Sequence, residues 1–287
     1  MILVTGATGF IGRSLARSLD HASLAWRPYS GRINAPLDLR AQLTGVEVVI
    51  HLAGSEARGR KRLLQHVDIE GTQRLLEEAQ RAGVQRLIFP SRLNADPFAI
   101  HALLRCKGEV ERLIQRSGIS YTIVRSATLF GRDDRFSEII TGLALWSWPL
   151  AWVPGGGKVA MQPLWVEDYV RCLLATLERP DLINRTIAVA GAELLSYREI
   201  VKTVLASRGL RRAYFPLPGA LLRPTAALSF NWWYWPAVSR FFVDRFFVPE
   251  VTNLDAVPRQ FGFQPVRFRD AISYINRRGL RWRIFRH

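Results

Sequence analysis

Residues 1–13 read MILVTGATGFIGR, and this stretch decides the fold. Residues 2–4 form a short apolar run, and glycines follow at positions 6, 9 and 12. The apolar spacing of residues 10–19 predicts an amphipathic helix. A strand, a glycine turn and a helix in this order are typical of a pyrophosphate cradle. The stretch therefore predicts a nucleotide-binding turn at the first strand of a parallel sheet.

Each glycine of the motif has its own physical reason. Without a Cβ, Gly6 and Gly9 let the backbone turn tightly and approach phosphates, and Gly12 lets the helix pack close to the strand. The helix N-terminus then offers free N–H groups and a partial positive charge to an anion. The alternative is a plain structural turn. The residues expected to contact the cofactor here are Gly6, Thr8, Gly9, Phe10, Ile11, Gly12 and Arg13.

Strands and helices alternate along the first two-thirds of the chain. The pattern predicts further strands at 24–26, 46–52, 84–89, 121–125 and 186–190, and helices at 68–82, 100–117 and 165–177. The strands are apolar rather than alternating, which favours a parallel sheet covered on both faces. We therefore expect an α/β, Rossmann-type doubly wound parallel sheet with a smaller, mostly helical C-terminal lobe.

The chain has 287 residues, which is near the upper limit for a single hydrophobic core. We expect an NAD(P)-binding Rossmann domain over 1–190, with 132–160 contributing to a second lobe, and a C-terminal substrate or interaction lobe over 191–287.

Cys106 and Cys172 lie in predicted helices and indicate neither a disulfide framework nor a metal site. The apolar start runs directly into the glycine turn, so we expect no signal peptide and a cytoplasmic location.

The charge is strongly positive, at +16, and nearly all the basic residues are arginines. Eight arginines fall between 259 and 286, at positions 259, 267, 269, 277, 278, 281, 283 and 286. Such a tail favours an anionic surface, either a membrane or an acidic membrane-protein complex. Nucleic acid is the least favoured partner because no nucleic-acid-binding motif is present. The protein would then be peripheral on the cytoplasmic face of a membrane.

Two regions rich in aromatic residues interrupt the strand–helix alternation. Residues 139–157 carry no charge and include Trp146, Trp148 and Trp152, and residues 219–248 include three more tryptophans and five phenylalanines. Neither region is a continuous apolar span of membrane length. The interpretation that we favour is a lobe whose rings fill its own core. The alternative is a patch at a membrane interface, flanked by arginines 223, 240 and 245.

The end of the second strand indicates which nicotinamide nucleotide binds. An acid there accepts from the ribose 2′-hydroxyl of NAD, whereas an arginine pairs with the 2′-phosphate of NADP. Here Arg27 stands at that position, Arg13 follows the last motif glycine, and no acid occurs before Asp38. This favours NADP(H), with NAD(H) as the alternative if the two arginines are only solvated. Asp38 and Leu39 are expected beside the adenine.

The sequence also resembles a known superfamily over roughly residues 1–275. The glycine motif, HLAG at 51–54 and YTIVRSATLFG at 121–131 are similar to the extended and atypical short-chain dehydrogenase/reductases. Within them, SRLNAD at 91–96, FGRDDRF at 130–136 and QPLWVEDYVRCL at 162–173 resemble the NADPH-binding accessory subunits of respiratory complex I and their bacterial relatives. The resemblance implies an epimerase-like Rossmann fold and adds Leu52, Ala53 and Gly54 to the cofactor contacts. His51, at the end of its strand, is expected to face the cofactor crevice rather than to act as a catalyst.

The chemistry of that superfamily depends on a tyrosine four residues before a lysine on one helix. The resemblance places Lys107 at the lysine position and Ser91 at the position of the serine that holds the substrate oxygen, in catalytic or binding roles. Leu103 stands at the tyrosine position, and leucine donates no proton. Two hypotheses remain. One is an NADP(H)-binding protein with a structural or redox-sensing role at a membrane or membrane complex. The other is an active oxidoreductase or epimerase acting on a bulky apolar or nucleotide-linked substrate.

Overall fold

The computed structural model describes residues 1–31, 33, 36–56, 60–218 and 240–275. The chain forms two compact units. The first comprises Met1–Ser126 and Val166–Val189, and the second comprises Ala127–Trp165 and Ala190–His287. The chain thus leaves the first unit, returns to it, and leaves it a second time.

The first unit is built on one six-stranded sheet. With strands numbered along the whole chain, its members are β1 (Ile2–Thr5), β2 (Trp26–Pro28), β3 (Val48–His51), β4 (Arg86–Arg92), β5 (Ser120–Ser126) and β10 (Arg185–Val189). Their spatial order is β2-β1-β3-β4-β5-β10, and every pair is parallel. All four residues of β1 are buried, as a sheet covered on both faces requires. The predicted Rossmann-type sheet is confirmed.

The connections of this sheet create a crevice at one edge. From β1 the chain first pairs on one side to form β2 and then crosses back to form β3 on the other side. Ligands of doubly wound sheets bind where the strand order reverses, beyond the carboxyl ends of the strands. In this unit that position is the end of β1 and β3.

Helices join these strands. They are α1 (Phe10–His21), α2 (Pro36–Leu43), α3 (Lys61–Leu63), α4 (Glu70–Arg81), α5 (Ala102–Arg116) and α7 (Val166–Leu177). α1 buries Leu15 and Leu19, the apolar stripe that the sequence shows. A π-helical stretch, Leu64–Ile69, leads into α4, whereas the sequence predicts an ordinary helix from residue 68. Wide helical turns of this kind occur frequently at functional sites.

The second strand is displaced from its predicted position. The sequence predicts residues 24–26, but the strand that forms is Trp26–Pro28. Leu24 is exposed, so it adds nothing to the core. Pro28 has no N–H to donate, and it is accommodated because β2 is an edge strand.

The second unit combines helices with short strand pairs. Its helices are α6 (Arg135–Trp146), α8 (Tyr197–Ser207), α9 (Arg240–Asp244), α10 (Ala256–Phe261) and α11 (Phe268–Ala271). Its strands are β6 (Leu129–Phe130), β7 (Leu150–Pro154), β8 (Ala160–Met161), β9 (Leu164–Trp165), β11 (Leu195–Ser196) and β12 (Ala213–Leu217). β6 pairs with β9 and β7 with β12 in parallel, and β8 pairs with β11 antiparallel.

The core of this unit excludes the tryptophans of the first aromatic region. Its buried rings include Phe130, Phe136, Tyr197, Phe246 and Phe268. By contrast, Trp146, Trp148 and Trp152 are 44%, 74% and 38% exposed. The interpretation that these rings fill their own core is therefore wrong for residues 146–152.

The second aromatic region is described only in part. Residues 219–239, with Arg223 and three tryptophans, lie outside the described residues, as do the tail arginines from 277 onward. Arg245 lies over the Phe136 ring at 5.3 Å and pairs with Glu250, so it is not a solvated flanking cation. Along the part of the chain that the structure describes, no helix has the length and apolar character needed to cross a membrane.

Candidate nucleotide-binding site

The glycine turn between β1 and α1 is fixed by two of its three glycines. Gly6 has a φ of +70°, and a Cβ there would lie 2.7 Å from the backbone nitrogen of Ala53. A Cβ on Gly12 would lie 2.3 Å from the Gly6 carbonyl oxygen. Both positions therefore require glycine for the fold itself. A Cβ on Gly9 would meet only the Gly6 carbonyl oxygen, at 3.2 Å, so the fold leaves that side of the turn open to a ligand.

The N-terminus of α1 has the features of an anion site. Gly9 is the N-cap, makes no side-chain cap hydrogen bond, and no acidic residue lies in the first turn. The N–H groups of a first helical turn have no acceptor within the helix, and their partial positive charge favours phosphate. Thr8 and Gly9 are exposed, and Phe10 and Ile11 are partly buried. This cradle fits a dinucleotide pyrophosphate, as the sequence predicts.

A buried hydrogen-bond network joins β1 and β3 beneath the turn. Thr72 Oγ1 donates to the Asp68 carbonyl and so accepts from His51 Nε2 at 2.9 Å. His51 Nδ1 then accepts from Thr5 Oγ1 at 2.7 Å, and Thr5 Oγ1 in turn accepts from the Ala53 N–H at 3.1 Å. The network therefore holds His51 neutral and positions the backbone at Ala53, which touches Gly6.

His51 is not at the surface of the crevice, contrary to the expectation from sequence. Its side chain is buried and both ring nitrogens are hydrogen-bonded to threonines. Burial, reinforced by the positive charge of Lys107, lowers the pKa of His51 to about 3. The residue is structural because it fastens the two strand ends that carry the turn.

Lys107 projects from α5 toward the same strand ends. Its Nζ lies 3.9 Å from Asp68 Oδ1 and 5.1 Å from the centroid of the Phe89 ring. Asp68 Oδ2 accepts from the backbone N–H and the hydroxyl of Ser55, whereas Oδ1 is buried without a hydrogen-bond partner. A Cβ on Gly54 would lie 2.9 Å from that same Oδ1. The ammonium group is thus held among Gly54, Asp68 and Phe89, beside the cradle.

Leu103, one helical turn before Lys107, has an apolar side chain that transfers no proton. Leu103 lies on α5 and is buried among the apolar residues of the first unit. Ser91, at the end of β4, is also buried, and its hydroxyl donates to Glu111 Oε1 at 2.5 Å. Glu111 is paired with Arg125, whose Nε lies 3.0 Å from Oε1. The hydroxyl of Ser91 is therefore engaged within the protein.

The residues expected at the adenine-ribose end differ in exposure and in their hydrogen-bond partners. Arg13 is exposed, and its Nη1 donates to the Thr8 carbonyl at 2.8 Å. Arg27 Nη2 donates to the carbonyl oxygens of Gln42 and Thr44, and its Nε is buried without a partner. Leu39 is fully buried, so its side chain packs in the core and does not face an adenine. Asp38 lies on α2, but its side chain is outside the described residues.

Sequence reasoning did not identify Asp68, Ser55 or Glu111 as parts of this site. Asp68 lies four residues before Thr72, one helical turn away, and both are polar residues that the structure buries. Buried polar residues at this spacing are a usable signal, because such groups need partners. Among the described residues, no group of three or more His, Cys, Asp and Glu side chains is arranged to hold a metal ion.

Comparison with known proteins supports binding of a nicotinamide nucleotide. A family model described as NAD(P)H-binding matches residues 13–142. Mouse NADH dehydrogenase (ubiquinone) 1 alpha subcomplex subunit 9, a mitochondrial protein, is 28% identical over 240 residues, covering 75% of this chain and 63% of its own. Photosystem II assembly factor Ycf39 of Cyanophora paradoxa is 31% identical over 151 residues, covering 45% of this chain and 46% of its own. The chain thus spans less than two-thirds of either relative.

The fold is shared with solved structures. UDP-glucose 4-epimerase of Thermus thermophilus, solved in complex with NAD, superposes with a TM-score of 0.73. It covers 96% of this chain and 97% of its own, at 17% sequence identity. At this identity the likeness concerns the fold alone.

Proposed function

We propose that this chain is an NAD(P)-binding protein of the short-chain dehydrogenase/reductase type and that it holds NADP(H) without consuming it. In this proposal the glycine turn and α1 bind the pyrophosphate, and Lys107 binds the hydroxyls of the nicotinamide ribose. When bound, the nucleotide supplies a hydride donor or acceptor. The protein itself contributes binding and orientation, and it acts as a structural or redox-sensing component.

The pair Leu103 and Lys107 carries this proposal. Lys107 lies beside the cradle with its Nζ 3.9 Å from Asp68 Oδ1, and in this proposal the ammonium group donates to the ribose hydroxyls. Leucine at position 103 is part of the apolar core and has no proton to transfer while hydride moves. Ser91, whose hydroxyl already donates to Glu111, adds no free donor for a substrate oxygen. In this proposal Lys107 supplies binding, and Leu103 stands at the position where the usual reaction needs a phenol.

The preference for NADP(H) over NAD(H) rests on the two arginines near the ribose end. Arg13 follows the turn directly, and Arg27 has a buried Nε with no hydrogen-bond partner. A guanidinium pairs with a phosphate strongly and directionally. Arg27 Nη2 already binds two carbonyls, which fixes the side chain at the end of α2 and pre-orients its remaining N–H groups.

The place of action that we propose is the cytoplasmic face of a membrane or a membrane-protein complex. Two relatives have names that refer to an NADH dehydrogenase (ubiquinone) subcomplex and to photosystem II assembly. The charge of +16 suits an anionic surface. Of the tail arginines, Arg259 and Arg269 pair with Asp255 and Glu193, so those two are partly neutralised within the protein.

The test is to identify the nucleotide that co-purifies with the protein. Denaturing release should yield NADP or NADPH in nearly equimolar amount, and the protein loaded with NADPH should show no hydride transfer to carbonyl compounds or to nucleotide-linked sugars. Release of NAD would contradict the NADP assignment. Steady oxidation of NADPH that requires Lys107 would instead establish the alternative, an active oxidoreductase or epimerase.

A further inference from the structure

The second unit presents an aromatic surface that its own core does not use. Its members are Trp146, Trp148, Trp152 and Phe215, of which Trp148 is 74% and Phe215 48% exposed. We call these four residues the aromatic surface. Monomeric proteins rarely expose large apolar groups together unless the patch meets a partner.

The β7/β12 pair gives this surface its shape. The two strands are parallel, and Trp152 lies opposite Phe215 in the register. Their rings meet edge to face at 5.2 Å. The alternate residues of β7, Ala151 and Val153, point into the core of the unit. An exposed strand face is usually polar, but the outer face of this pair presents a tryptophan and a phenylalanine.

Trp148 is held at the turn that precedes β7. The single proton of the Ser147 hydroxyl is shared between the carbonyl oxygens of Leu143 and Leu150, 2.8 and 2.7 Å from Oγ, which links the end of α6 to the start of β7. The Ala213 N–H donates to the Pro149 carbonyl at 3.1 Å, which joins the turn to β12. The exposed ring of Trp148 therefore stands on a fixed backbone.

Arg211 and Arg212 directly precede β12, the strand that carries Phe215, and the charges close in sequence to the aromatic residues are mostly positive. Residues 139–165 have Lys158 as their only charge, and residues 200–218 have four cations and no acid. Arg212 Nε donates to the Ala144 carbonyl at 3.0 Å, near the end of α6, and Arg211 beside it is exposed. Arg198 and Lys202 of α8 each lie 5.9 Å from the Tyr214 ring, on the core side of β12, so they add to the charge of the unit but do not border the aromatic surface.

We propose that the aromatic surface is where this protein binds an anionic lipid bilayer. Tryptophan prefers the headgroup boundary, and arginines beside it are attracted to acidic lipids. A second copy of the chain is a poorer occupant, because two such surfaces would bring like charges together. The proposal rests on the membrane location proposed above and assigns it to named residues.

The experiment is sedimentation of the full-length protein with vesicles of phosphatidylcholine, with and without phosphatidylserine. Wild type should bind the anionic vesicles at least tenfold more tightly than the neutral ones, and added salt should weaken this binding. The double variant Trp148→Ser, Phe215→Ser should lose at least fivefold in affinity for the anionic vesicles. Arg211→Glu should lose affinity for them while leaving the weak binding to neutral vesicles unchanged.

Matched controls come from the first unit. Phe98 and Ile100 are 85% and 87% exposed, so Phe98→Ser with Ile100→Ser removes comparable apolar surface elsewhere. Arg112 is exposed on α5, and Arg112→Glu reverses the same charge. Both controls should bind vesicles like wild type, and all variants should keep their bound nucleotide and melting temperature. If the double variant unfolds, Arg211→Glu against Arg112→Glu alone decides the matter.

The outcomes separate this proposal from the proposed function. If wild type binds the vesicles and the aromatic-surface variants bind equally well, the surface is wrongly assigned although membrane binding stands. If wild type does not bind the vesicles but still contains bound NADPH, both the lipid proposal and the membrane location are wrong. The proposal that the protein holds a nucleotide would then still stand. Equal losses in variants and controls would also overturn the assignment, as would binding to an acidic protein but not to vesicles.

Discussion

Two segments of the first unit contribute to the same site under different constraints. In the turn between β1 and α1, Gly6 and Gly12 have backbone atoms within 2.7 and 2.3 Å of where a Cβ would lie. In α5, Leu103 is one apolar residue among many in the core, and Lys107 sits beside a single acid at 3.9 Å. The fold itself demands the glycines, whereas Lys107 is held by the buried Asp68 and the Phe89 ring and leaves N–H groups that a ligand can accept from. Gly6 and Gly12 therefore build the cradle, and Lys107 lies where it can contact what the cradle binds.

The largest expected effect is at Gly12. The substitution Gly12→Val sets a side chain against the Gly6 carbonyl, and we expect a cost of about 3 kcal/mol or more from overpacking. The melting temperature should then fall by about 6–12 °C, as measured by circular dichroism. Gly9→Ala is the matched variant. It should keep the melting temperature of the nucleotide-free protein and weaken nucleotide binding at least tenfold, and an unchanged affinity would show that the cradle does not bind phosphate.

At Lys107 we expect an effect on nucleotide binding and also a lower melting temperature, because Lys107 pairs with the buried Asp68 carboxylate. Lys107→Gln removes charge-assisted hydrogen bonds worth about 1.5–3 kcal/mol, so NADPH affinity should drop by about 10- to 100-fold. Calorimetric titration measures this loss. Leu103→Met on the same helix should leave the affinity within about twofold of wild type. Equal losses in both variants would mean that α5 as a whole, rather than the ammonium group, supports the nucleotide.

The pH dependence of stability should reveal the buried imidazole. His51 has a pKa of about 3 in the folded protein, whereas an unfolded histidine titrates near its ordinary value. The unfolded chain therefore binds the extra proton as the pH falls below about 6.5, and stability decreases. Between pH 7.5 and pH 5 this group should lower the free energy of unfolding by about 2 kcal/mol. Urea titrations at several pH values should show this loss in wild type and not in His51→Gln. If the free energy of unfolding changed equally with pH in both proteins, the prediction would be contradicted.

The smallest expected effect separates the two nucleotides. Arg27→Ala should weaken NADPH binding about tenfold by removing a phosphate contact and leave NADH binding nearly unchanged. The carbonyls of Gln42 and Thr44 lose a donor, but solvent can replace it because this contact is partly exposed. Arg13→Ala provides the comparison at the other proposed phosphate ligand. A parallel loss for NADH and NADPH would place Arg27 in a purely structural role.

The sequence predicted the cradle because its constraints are local. The three glycines, the apolar strand and the helix lie within twenty residues, so most of the contacts that fix the turn involve residues close in sequence. The position of Arg27 was harder, because its guanidinium is bound by carbonyls that lie fifteen or more residues later, at the end of α2. Asp68 was missed for a related reason. Its partners, Ser55 and Lys107, come from separate segments that only the folded sheet brings together.

The aromatic residues show where pattern alone is ambiguous. A tryptophan in an uncharged segment is equally compatible with a core and with a surface. Whether Trp152 is buried depends on β12, a strand more than sixty residues later that pairs with β7. In that pair the Trp152 side chain lies on the face exposed to solvent. The core positions were taken instead by Phe130, Tyr197 and Phe268, which come from three other segments.

The division of the first unit has a consequence for how the chain is made. β5 ends at Ser126, but its outer neighbour β10 begins only at Arg185, after the segment 127–165 has entered the second unit. During synthesis the outer edge of β5 therefore stays unpaired until almost sixty further residues have been made. An unpaired strand edge is a template for wrong pairing. A ribosome-bound chain that stops before residue 185 should accordingly depend on a chaperone more than one that stops after residue 189.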